Sequence, residues 1–309
     1  MKVLVTGATG FIGSYITNAV YEQGHAVIGC VRNVSLGKRL NANLEYIPCN
    51  FSDDVDVDVW LPRLQGVDVV INVVGIITES GAGTFQAVHV NAPKALFDAC
   101  RAVGVKRVIN ISALGVSEAS QTAYNNTKML ADNHLLSLGI PAVILRPSWL
   151  YGERSASFNL LCAFSALPMV PVVGSGEYKV QPIYIEDFAA AVARLVEADQ
   201  LDGHIIEAGG PAQLTIKTMH NSFREWLGER RTIVIGLPEW FVKWFVKVGD
   251  YIFKGPVNSA SFDMLTRNNI TDDVRLWQTT NITPQNMQDV LSIHPSTSAD
   301  RLQAKLFFL

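Results

Sequence analysis

Three residues in the stretch "SALGVSEASQTAYNNTK" (112–128) could together move a proton to or from an oxygen atom. Ser112, Tyr124 and Lys128 supply a hydroxyl, a phenol and an ammonium group. A free phenol has a pKa of about 10, and a neighbouring ammonium group favours its phenolate form. We therefore expect Tyr124 to exchange a proton with a substrate alcohol or carbonyl, Lys128 to supply the charge, and Ser112 to bond the substrate oxygen as charge develops.

The elements around these residues would bring them together. Apolar residues at helical spacing predict a helix over 124–138, which places Tyr124 and Lys128 one turn apart on one face. Ser112 closes a predicted strand at 105–112 and so lies at the carboxyl edge of the sheet, where open α/β sheets bind ligands. The alternative is a surface helix that carries an incidental tyrosine and lysine.

A glycine-rich loop in "VLVTGATGFIGSYI" predicts a phosphate site. Gly7 permits a tight turn, Gly10 lets the backbone approach a pyrophosphate, and Gly13 lets helix and strand pack closely. Free N–H groups at the helix start would then hold the phosphates. Thr9, Phe11 and Ile12 of the same loop are further predicted cofactor contacts. The alternative is a glycine-rich turn that serves only the fold.

The second predicted strand bears on which dinucleotide binds. A carboxylate at its end normally binds the ribose hydroxyls of NAD, whereas an arginine accommodates the extra phosphate of NADP. Residues 23–44 contain no Asp or Glu, and the strand ends in Arg32, with Lys38 and Arg39 nearby. The sequence therefore favours NADP(H) over NAD(H). Asn50 and Phe51 are predicted to border the adenine, with ordinary loop packing as the alternative.

Short apolar runs alternate with helical patterns in the first half of the chain, which predicts an α/β fold with a Rossmann-like, doubly wound parallel sheet. The predicted strands are 2–7, 25–31, 44–50, 67–75, 105–112 and 141–147, with one more in 203–211, and the helices are 12–23, 57–64, 84–103 and 124–138. The predicted domains are a nucleotide-binding domain at 1–147, to which 183–208 returns, and a smaller, mostly helical substrate lobe at 148–182 and 209–309.

Composition narrows the classes of function. The net charge is −3 and only 17% of the residues are charged, so we expect no nucleic-acid partner. The six histidines and four cysteines show no metal-ligand spacing, so we expect no metal. The chain shows no signal peptide and no apolar run of about 18 residues, so we expect a cytoplasmic protein without a membrane span.

Several motifs together resemble the short-chain dehydrogenase/reductase superfamily, in its extended or atypical NAD(P)-dependent epimerase/dehydratase branch. They are "TGATGFIG", "NVVG", "HVNAPKALFDACRAVGVKRVINISALG", "YNNTK", "LRPSWLYGE", "VQPIYIEDFAAAV" and "EAGGP". "ISALG", "LRPSWLYG" and "QPIYIEDFA" are also similar to the subfamily of the NADPH-holding accessory subunit of respiratory complex I and its bacterial relatives. This resemblance implies a tightly held NADPH, in some members without demonstrated turnover.

The resemblance also assigns site residues. It implies that Ser112, Tyr124 and Lys128 are catalytic and that the last two also bind the cofactor. Further cofactor contacts implied by it are Val73, Gly75, Asn91 and Pro147. The family often has Asp where Asn50 stands, and many members of the complex I branch lack the catalytic tyrosine. This chain retains Tyr124, which favours an active enzyme.

We therefore predict an NADP(H)-dependent oxidoreductase that transfers a hydride to or from a carbonyl or hydroxyl of a small, rather apolar molecule. A sugar nucleotide would need its diphosphate neutralised in the substrate lobe. Between Ser155 and Gln181 the only basic residue is Lys179, although Arg154 borders that stretch. The same segment is rich in Phe, Leu and Val, which favours an apolar substrate. The alternative is that these side chains form the core of the lobe. The alternatives are a non-catalytic NADPH-binding subunit or redox sensor on a membrane complex, and a sugar-nucleotide epimerase or dehydratase.

One late segment predicts contact with a membrane. Residues 237–255 combine Trp, Phe and Tyr with lysines, which suits a helix lying at the cytoplasmic face of a bilayer. The alternative is a core helix of the substrate lobe with snorkelling lysines. The apolar ending "RLQAKLFFL" suggests that the chain is a piece of a longer protein whose next segment is hydrophobic. The sequence leaves the oligomeric state open.

Overall fold

The computed structural model describes residues 1–118, 122–230, 232–244, 262 and 266–307. Its strands are β1 Lys2–Thr6, β2 Ala26–Val31, β3 Glu45–Pro48, β4 Val69–Asn72, β5 Arg107–Ile111, β6 Ala142–Pro147, β7 Leu150–Tyr151, β8 Val170–Val173, β9 Lys179–Val180, β10 Ile183–Tyr184, β11 His204–Ala208, β12 Leu214–Thr215 and β13 Val234–Leu237. Its helices are α1 Phe11–Glu22, α2 Val34–Leu40, α3 Val57–Trp60, α4 Ala92–Val103, α5 Ala123–Ser137, α6 Ala156–Ala166, α7 Ile185–Arg194, α8 Ile216–Trp226, α9 Arg275–Thr280, α10 Met287–Ile293 and α11 Ser298–Leu306.

Seven of the strands form one sheet in the order β11-β6-β5-β4-β1-β2-β3, and every neighbouring pair is parallel. Each residue of β4, β5 and β6 is buried, as expected for strands covered on both faces. The chain runs outward from β1 through β2 to β3 and then returns to the other side of β1 with β4. The predicted Rossmann-like α/β fold is confirmed, and the reversal lies between the carboxyl ends of β1 and β4.

The chain divides into two compact units. The first comprises Met1–Pro147, Ile185–Ala208 and Asp273–Thr283, and the second comprises Ser148–Tyr184, Gly209–Asp272 and Pro284–Leu309. The sequence had assigned the whole of 209–309 to the substrate lobe, and for 273–283 that assignment is wrong.

Hydrogen bonds explain why this late segment belongs to the first unit. Arg275 Nη2 donates to the carbonyl of Ile205 at 3.1 Å, and Arg194 Nη1 donates to the carbonyls of Thr280 and, at 2.9 Å, Asn281. Such long-range pairings leave no periodic signal in the sequence.

Two helical features differ from the predicted elements. Helix α2 was not predicted, because it is seven residues long and buries only Gly37, so it shows no apolar period. The side chain of Asn33 caps it by accepting from the N–H of Leu36 at 3.0 Å. The helix predicted over 84–103 is a π-helix at Gln86–Asn91 followed by α4.

The second unit has its own apolar core. Helix α6 packs against α8 and α11, and the short strands β8 and β13 pair in parallel. The ring of Phe158 lies edge-on to those of Phe223 and Trp226, with centroids 5.4 and 5.6 Å away. Phe158 and Val170, two apolar residues of the segment between Ser155 and Gln181, are buried.

The loop between β1 and α1 is held by a close backbone contact. Gly7 has a φ of +67°, a conformation that glycine adopts without steric cost. A Cβ on Gly13 would lie 2.1 Å from the carbonyl oxygen of Gly7, whereas a Cβ on Gly10 would lie 3.2 Å from the same atom. Only glycine at position 13 therefore allows the first turn of α1 to rest on this loop.

We expect Gly13→Ala to lower the free energy of unfolding by about 1–3 kcal/mol, because the added methyl group must push the loop away from α1. Urea denaturation measures this loss. Gly10→Ala is the matched control, and we expect it to cost less because its contact is longer. Equal stability of the Gly13 variant and the wild type would contradict the close-packing role.

Candidate functional site

The amino end of α1 offers backbone N–H groups to an anion. Its N-cap is Gly10, no side chain caps it, and its first turn contains no acidic residue. The N–H groups of Gly7 and Ala8 are turned toward the carbonyl of Cys30 on β2, at 3.0 and 3.4 Å, which anchors the loop. Gly10 is exposed, and Thr9, Phe11 and Ile12 are half-buried. The amino end of α1 and the loop packed closely against it through Gly7 and Gly13 form a backbone site that fits the pyrophosphate of a dinucleotide.

The carboxylate of Asp132 on α5 is buried completely and is the centre of a polar network. Its Oδ2 accepts from Ser112 Oγ at 2.8 Å and from Arg146 Nη2 at 2.8 Å, and its Oδ1 accepts from Asn110 Nδ2 at 2.9 Å. Arg146 Nη1 also donates to the carbonyl of Val116 at 2.7 Å. One carboxylate thus joins α5 to β5 and β6.

The network continues across the sheet to the phosphate loop. Asn72 Nδ2 donates to Asn110 Oδ1 at 2.8 Å, and Thr6 Oγ1 donates to Asn72 Oδ1 at 2.8 Å. Thr6 Oγ1 also accepts from the N–H of Val73 at 3.0 Å. In this series of hydrogen bonds, each side chain donates to the next one toward Asp132. The hydrogen bonds therefore polarise one another in one direction.

Ser112 is placed differently from the prediction. Its hydroxyl donates to Asp132, and the residue is buried. A serine whose hydrogen is bonded to a carboxylate can offer a substrate only its oxygen lone pairs. Bonding of a substrate oxygen by Ser112 therefore needs a change in this hydrogen bond. A buried carboxylate twenty residues away left no local signal at Ser112.

Tyr124 and Lys128 lie one turn apart on α5, with the Lys128 Nζ 6.0 Å from the centroid of the Tyr124 ring. Lys128 Nζ donates to the carbonyl of Ile111 at 3.2 Å. Burial raises the pKa of Tyr124, and the negative charge of Asp132 adds to this shift. The net shift is opposite to the lowering expected from Lys128, because burial and the Asp132 charge both favour the protonated phenol.

Burial and the neighbouring charges shift the pKa values of Lys128 and Asp132 in opposite directions. Burial lowers the pKa of Lys128, while the charge of Asp132 works against that shift. Burial also raises the pKa of Asp132, although the Arg146 guanidinium and the Ser112 hydroxyl oppose it. Burial and the Asp132 charge therefore both favour the protonated phenol of Tyr124.

The sequence missed His89 as a member of this site. Its ring is buried, stacks on Phe85 with centroids 5.2 Å apart, and meets the Tyr124 ring edge-on at 5.3 Å. Burial, and then the charge of Lys128, lower its pKa to about 3, so the imidazole is neutral. The family-like motif that begins at His89 assigned it no role, and a histidine inside an apolar helical pattern is more often a core residue.

Three of the remaining residues predicted on the nicotinamide side lie at the carboxyl ends of strands, and the fourth, Asn91, ends the π-helix. Val73 and Gly75 follow β4, and Pro147 ends β6, with its carbonyl accepting from the N–H of Leu114 at 3.0 Å. A Cβ on Gly75 would lie 3.5 Å from Lys128 Nζ, so this backbone passes close to the amino group. Asn91 is exposed and its Oδ1 accepts from Gln86 Nε2 at 2.9 Å.

The residues predicted to contact the adenosine half of the cofactor fall into two groups, exposed basic residues and residues that pack or bond within the protein. Arg32 is exposed directly after β2, and Lys38 and Arg39 are exposed on the last turn of α2. The Phe51 ring is buried against Trp60, with centroids 5.6 Å apart, so its side chain packs in the core. Asn50 binds its own loop, where its Nδ2 donates to Asp53 Oδ2 at 2.6 Å.

The region that contains this site is similar in sequence to a family of known proteins. The model of the NAD dependent epimerase/dehydratase family matches residues 3–209. The chain belongs to this family. Membership confirms the predicted branch of NAD(P)-binding oxidoreductases and epimerases. The glycine loop, the polar network and the Tyr124–Lys128 pair all lie within the matched region.

Two relatives in this family differ in what their names describe. NADH dehydrogenase (ubiquinone) 1 alpha subcomplex subunit 9, mitochondrial, of Arabidopsis thaliana is 30% identical over 233 residues, which are 72% of this chain and 58% of the relative. Quinone oxidoreductase 2 of Escherichia coli is 27% identical over 237 residues, which are 74% of this chain and 76% of the relative. The matches span between 56% and 60% of the four complex I relatives.

A solved structure supports the fold of this family member over nearly its whole length. The NADPH-dependent quinone oxidoreductase of Escherichia coli, complexed with NADPH, superposes with a TM-score of 0.74 at 20% identity. The match covers 94% of this chain and 99% of that chain.

The aromatic segment predicted at 237–255 is described in part. Residues 239–244 are helical, and Trp240 and Trp244 are 73% and 62% exposed. Residues 245–255 lie outside the described residues, as do 308–309 of the apolar ending, so membrane contact stays a prediction. Among the described helices none is long and apolar enough to cross a bilayer. In the same part of the chain, no three His, Cys, Asp or Glu residues cluster as metal ligands.

We expect Asp132→Asn to cost about 3–5 kcal/mol of unfolding free energy, because it leaves the buried Arg146 guanidinium without a countercharge. Chemical denaturation measures the change. Asp98→Asn is the matched control: it removes a half-buried pair with His134 at 2.8 Å, which is more accessible to solvent than the Asp132 network, and should cost less than about 1 kcal/mol. Similar losses in both variants would show that the buried network does not depend on the Asp132 charge.

Proposed function

We propose that this protein is an NADP(H)-dependent oxidoreductase that reduces the carbonyl group of a small, rather apolar molecule. The observation that carries the proposal is a buried Tyr124 one turn from Lys128 on α5, with Lys128 beside Gly75 and the glycine loop beside Val74. Epimerases and reductases of the family share that loop, so the loop alone does not choose between them.

The residues have separable roles in this proposal. Backbone N–H groups at the start of α1 hold the pyrophosphate, and Lys128, beside Gly75, binds the nicotinamide ribose. When bound, NADPH supplies the hydride that reduces the carbonyl carbon. Tyr124 gives its phenolic proton to the carbonyl oxygen, so hydride and proton together yield the alcohol. The negative charge of Asp132 opposes the lowering of the Lys128 pKa by burial and adds to the rise in the Tyr124 pKa.

Three observations favour a reductase over the two rivals. Tyr124 is present and buried, which a purely NADPH-holding subunit would not require. Lys179 is exposed and is the only basic residue between Ser155 and Gln181, which argues against a nucleotide diphosphate as substrate. The similarity to a quinone oxidoreductase supports quinones as the first probes, since they are apolar carbonyl compounds.

The preference for NADP(H) rests on Arg32. Its side chain is exposed after β2, and residues 23–44 supply no carboxylate to bind the ribose hydroxyls or repel a phosphate. A guanidinium group binds phosphate with charge-assisted hydrogen bonds. Lys38 and Arg39 on α2 add positive charge to the same side of β2.

We expect Tyr124→Phe to lower kcat for NADPH oxidation with 1,4-naphthoquinone by about 100-fold or more, because the proton donor is lost. The Kd of NADPH should change less than threefold, and this is measured by NADPH fluorescence. Tyr21→Phe, an exposed position on α1, is the control and should match the wild type. A variant as fast as the wild type would remove Tyr124 from the mechanism, and a wild type inert toward a panel of quinones, ketones and aldehydes would favour the non-catalytic subunit.

We expect Arg32→Ala to reduce the ratio of NADH to NADPH dissociation constants by about tenfold, which corresponds to about 1.4 kcal/mol of lost phosphate binding. Thermal-shift titrations with both cofactors measure the ratio. Arg101→Ala, at an exposed position on α4, controls for the loss of one positive charge. Equal affinity of the wild type for both cofactors would refute the NADP(H) preference.

A further inference from the structure

We propose that His89 is a positioning residue that locks the Tyr124 helix to the loop after β4, so that proton donor and cofactor are held in one geometry. The catalytic part of this inference rests on the proposed function, whereas the contacts of His89 are independent of it. His89 is the first residue of one of the family-like motifs, but the motif assigned it no role. Its ring nitrogens bond Ile76 and Thr127, and its ring contacts the Tyr124 ring rather than the phenolic oxygen. It acts through the residues on either side.

The two ring nitrogens of His89 have different partners. Nε2 accepts from the backbone N–H of Ile76 at 3.0 Å, so the ring hydrogen of the neutral imidazole is on Nδ1. Nδ1 lies 3.1 Å from Thr127 Oγ1 and donates to it. Thr127 Oγ1 in turn lies 2.7 Å from the carbonyl of Ala123 and 3.0 Å from that of Tyr124. One side chain therefore connects the β4 loop to the first turn of α5.

Ring contacts fix Tyr124 from the same direction. Phe85, His89 and Tyr124 form a mutual cluster, with centroids 5.2 Å apart for the first pair, 5.3 Å for the second pair and 6.1 Å for Phe85 and Tyr124. Both contacts to the phenol ring are edge-on, an arrangement that aromatic rings prefer. The phenol ring thus meets a histidine ring on one element and the Phe85 ring that precedes it.

The π-helix at Gln86–Asn91 carries His89. It buries this residue together with the two flanking valines, Val88 and Val90. π-helical turns occur frequently at functional sites.

The charge state keeps both hydrogen bonds in place. Burial and the nearby Lys128 charge hold His89 neutral, so Nε2 remains an acceptor for the Ile76 N–H. A Cβ on Gly75 would lie 3.5 Å from Lys128 Nζ and 3.7 Å from His89 Nε2. The Gly75 backbone therefore passes beside both groups, and His89 fixes the loop segment that approaches Lys128.

Two substitutions separate the two links. In His89→Gln the amide oxygen can reach the place of Nε2 and accept from Ile76, but the link to Thr127 is lost. In His89→Asn the amide nitrogen can take the place of Nδ1 and donate to Thr127, but the link to the loop is lost. His134→Gln on the same helix is the control, because its partner, Asp98, lies on α4 away from this cluster. NADPH fluorescence gives Kd, and 1,4-naphthoquinone reduction gives kcat and KM.

We expect His89→Asn to weaken NADPH binding about tenfold, because the loop that borders the cofactor is released, whereas His89→Gln changes the NADPH Kd less than threefold. His89→Gln and Thr127→Val should each lower kcat about tenfold or more, with KM for the quinone nearly unchanged, since misplacement of the phenol affects the reacting geometry. The control should match the wild type in all three constants, even if its melting temperature falls.

A merely structural role would lower the melting temperature of both His89 variants without separating their NADPH affinities. Equal Kd values for the Gln and Asn variants would therefore overturn the inference, as would an unchanged kcat in both of them when the wild type is active. The Kd comparison needs no turnover. A wild type that binds NADPH but reduces no carbonyl would refute the proposed function, and the difference between the two His89 variants would still decide this inference.

Discussion

The first unit depends on one buried ionic contact, the carboxylate of Asp132 with the guanidinium of Arg146 at 2.8 Å. Neither charge could remain in the apolar interior alone, because the cost of desolvation is several kcal/mol for each ion. The pair is stable there because Ser112, Asn110 and the Val116 carbonyl use the remaining hydrogen-bonding capacity. The contact therefore fixes the register of α5 against β5 and β6, and with it the positions of Tyr124 and Lys128.

The same carboxylate governs the protonation states of the site. Its charge favours a protonated lysine and a protonated tyrosine, while burial favours a neutral lysine and a neutral phenol. Both effects agree on the phenol and oppose each other on the lysine. Both effects thus favour the protonated phenol, and the neutral His89 beside it adds structure without adding charge. This electrostatic balance is compatible with the proposed role of Tyr124 as a proton donor.

Much of the fold could be read from the sequence because the parallel strands are buried on both faces. A continuous run such as "VDVVINVVG" has few other stable environments, and glycines such as Gly104, with φ at +74°, mark the helix ends. Helix α2 and the late segment 273–283 escaped prediction for the opposite reason. One buries a single glycine and the other is held by arginines that bind distant carbonyls, so neither produces a periodic pattern.

The sequence alone determined the glycine loop, the Tyr124–Lys128 pair and the sheet edge that they share, because these depend on spacing within one strand, loop or helix. The tertiary structure decided what those residues can do. It bonded the Ser112 hydroxyl to Asp132, turned Phe51 into the core, raised the phenol pKa and brought His89 against Tyr124. Each of these results comes from burial or from a partner distant in the chain, and neither local spacing nor residue type carries that information.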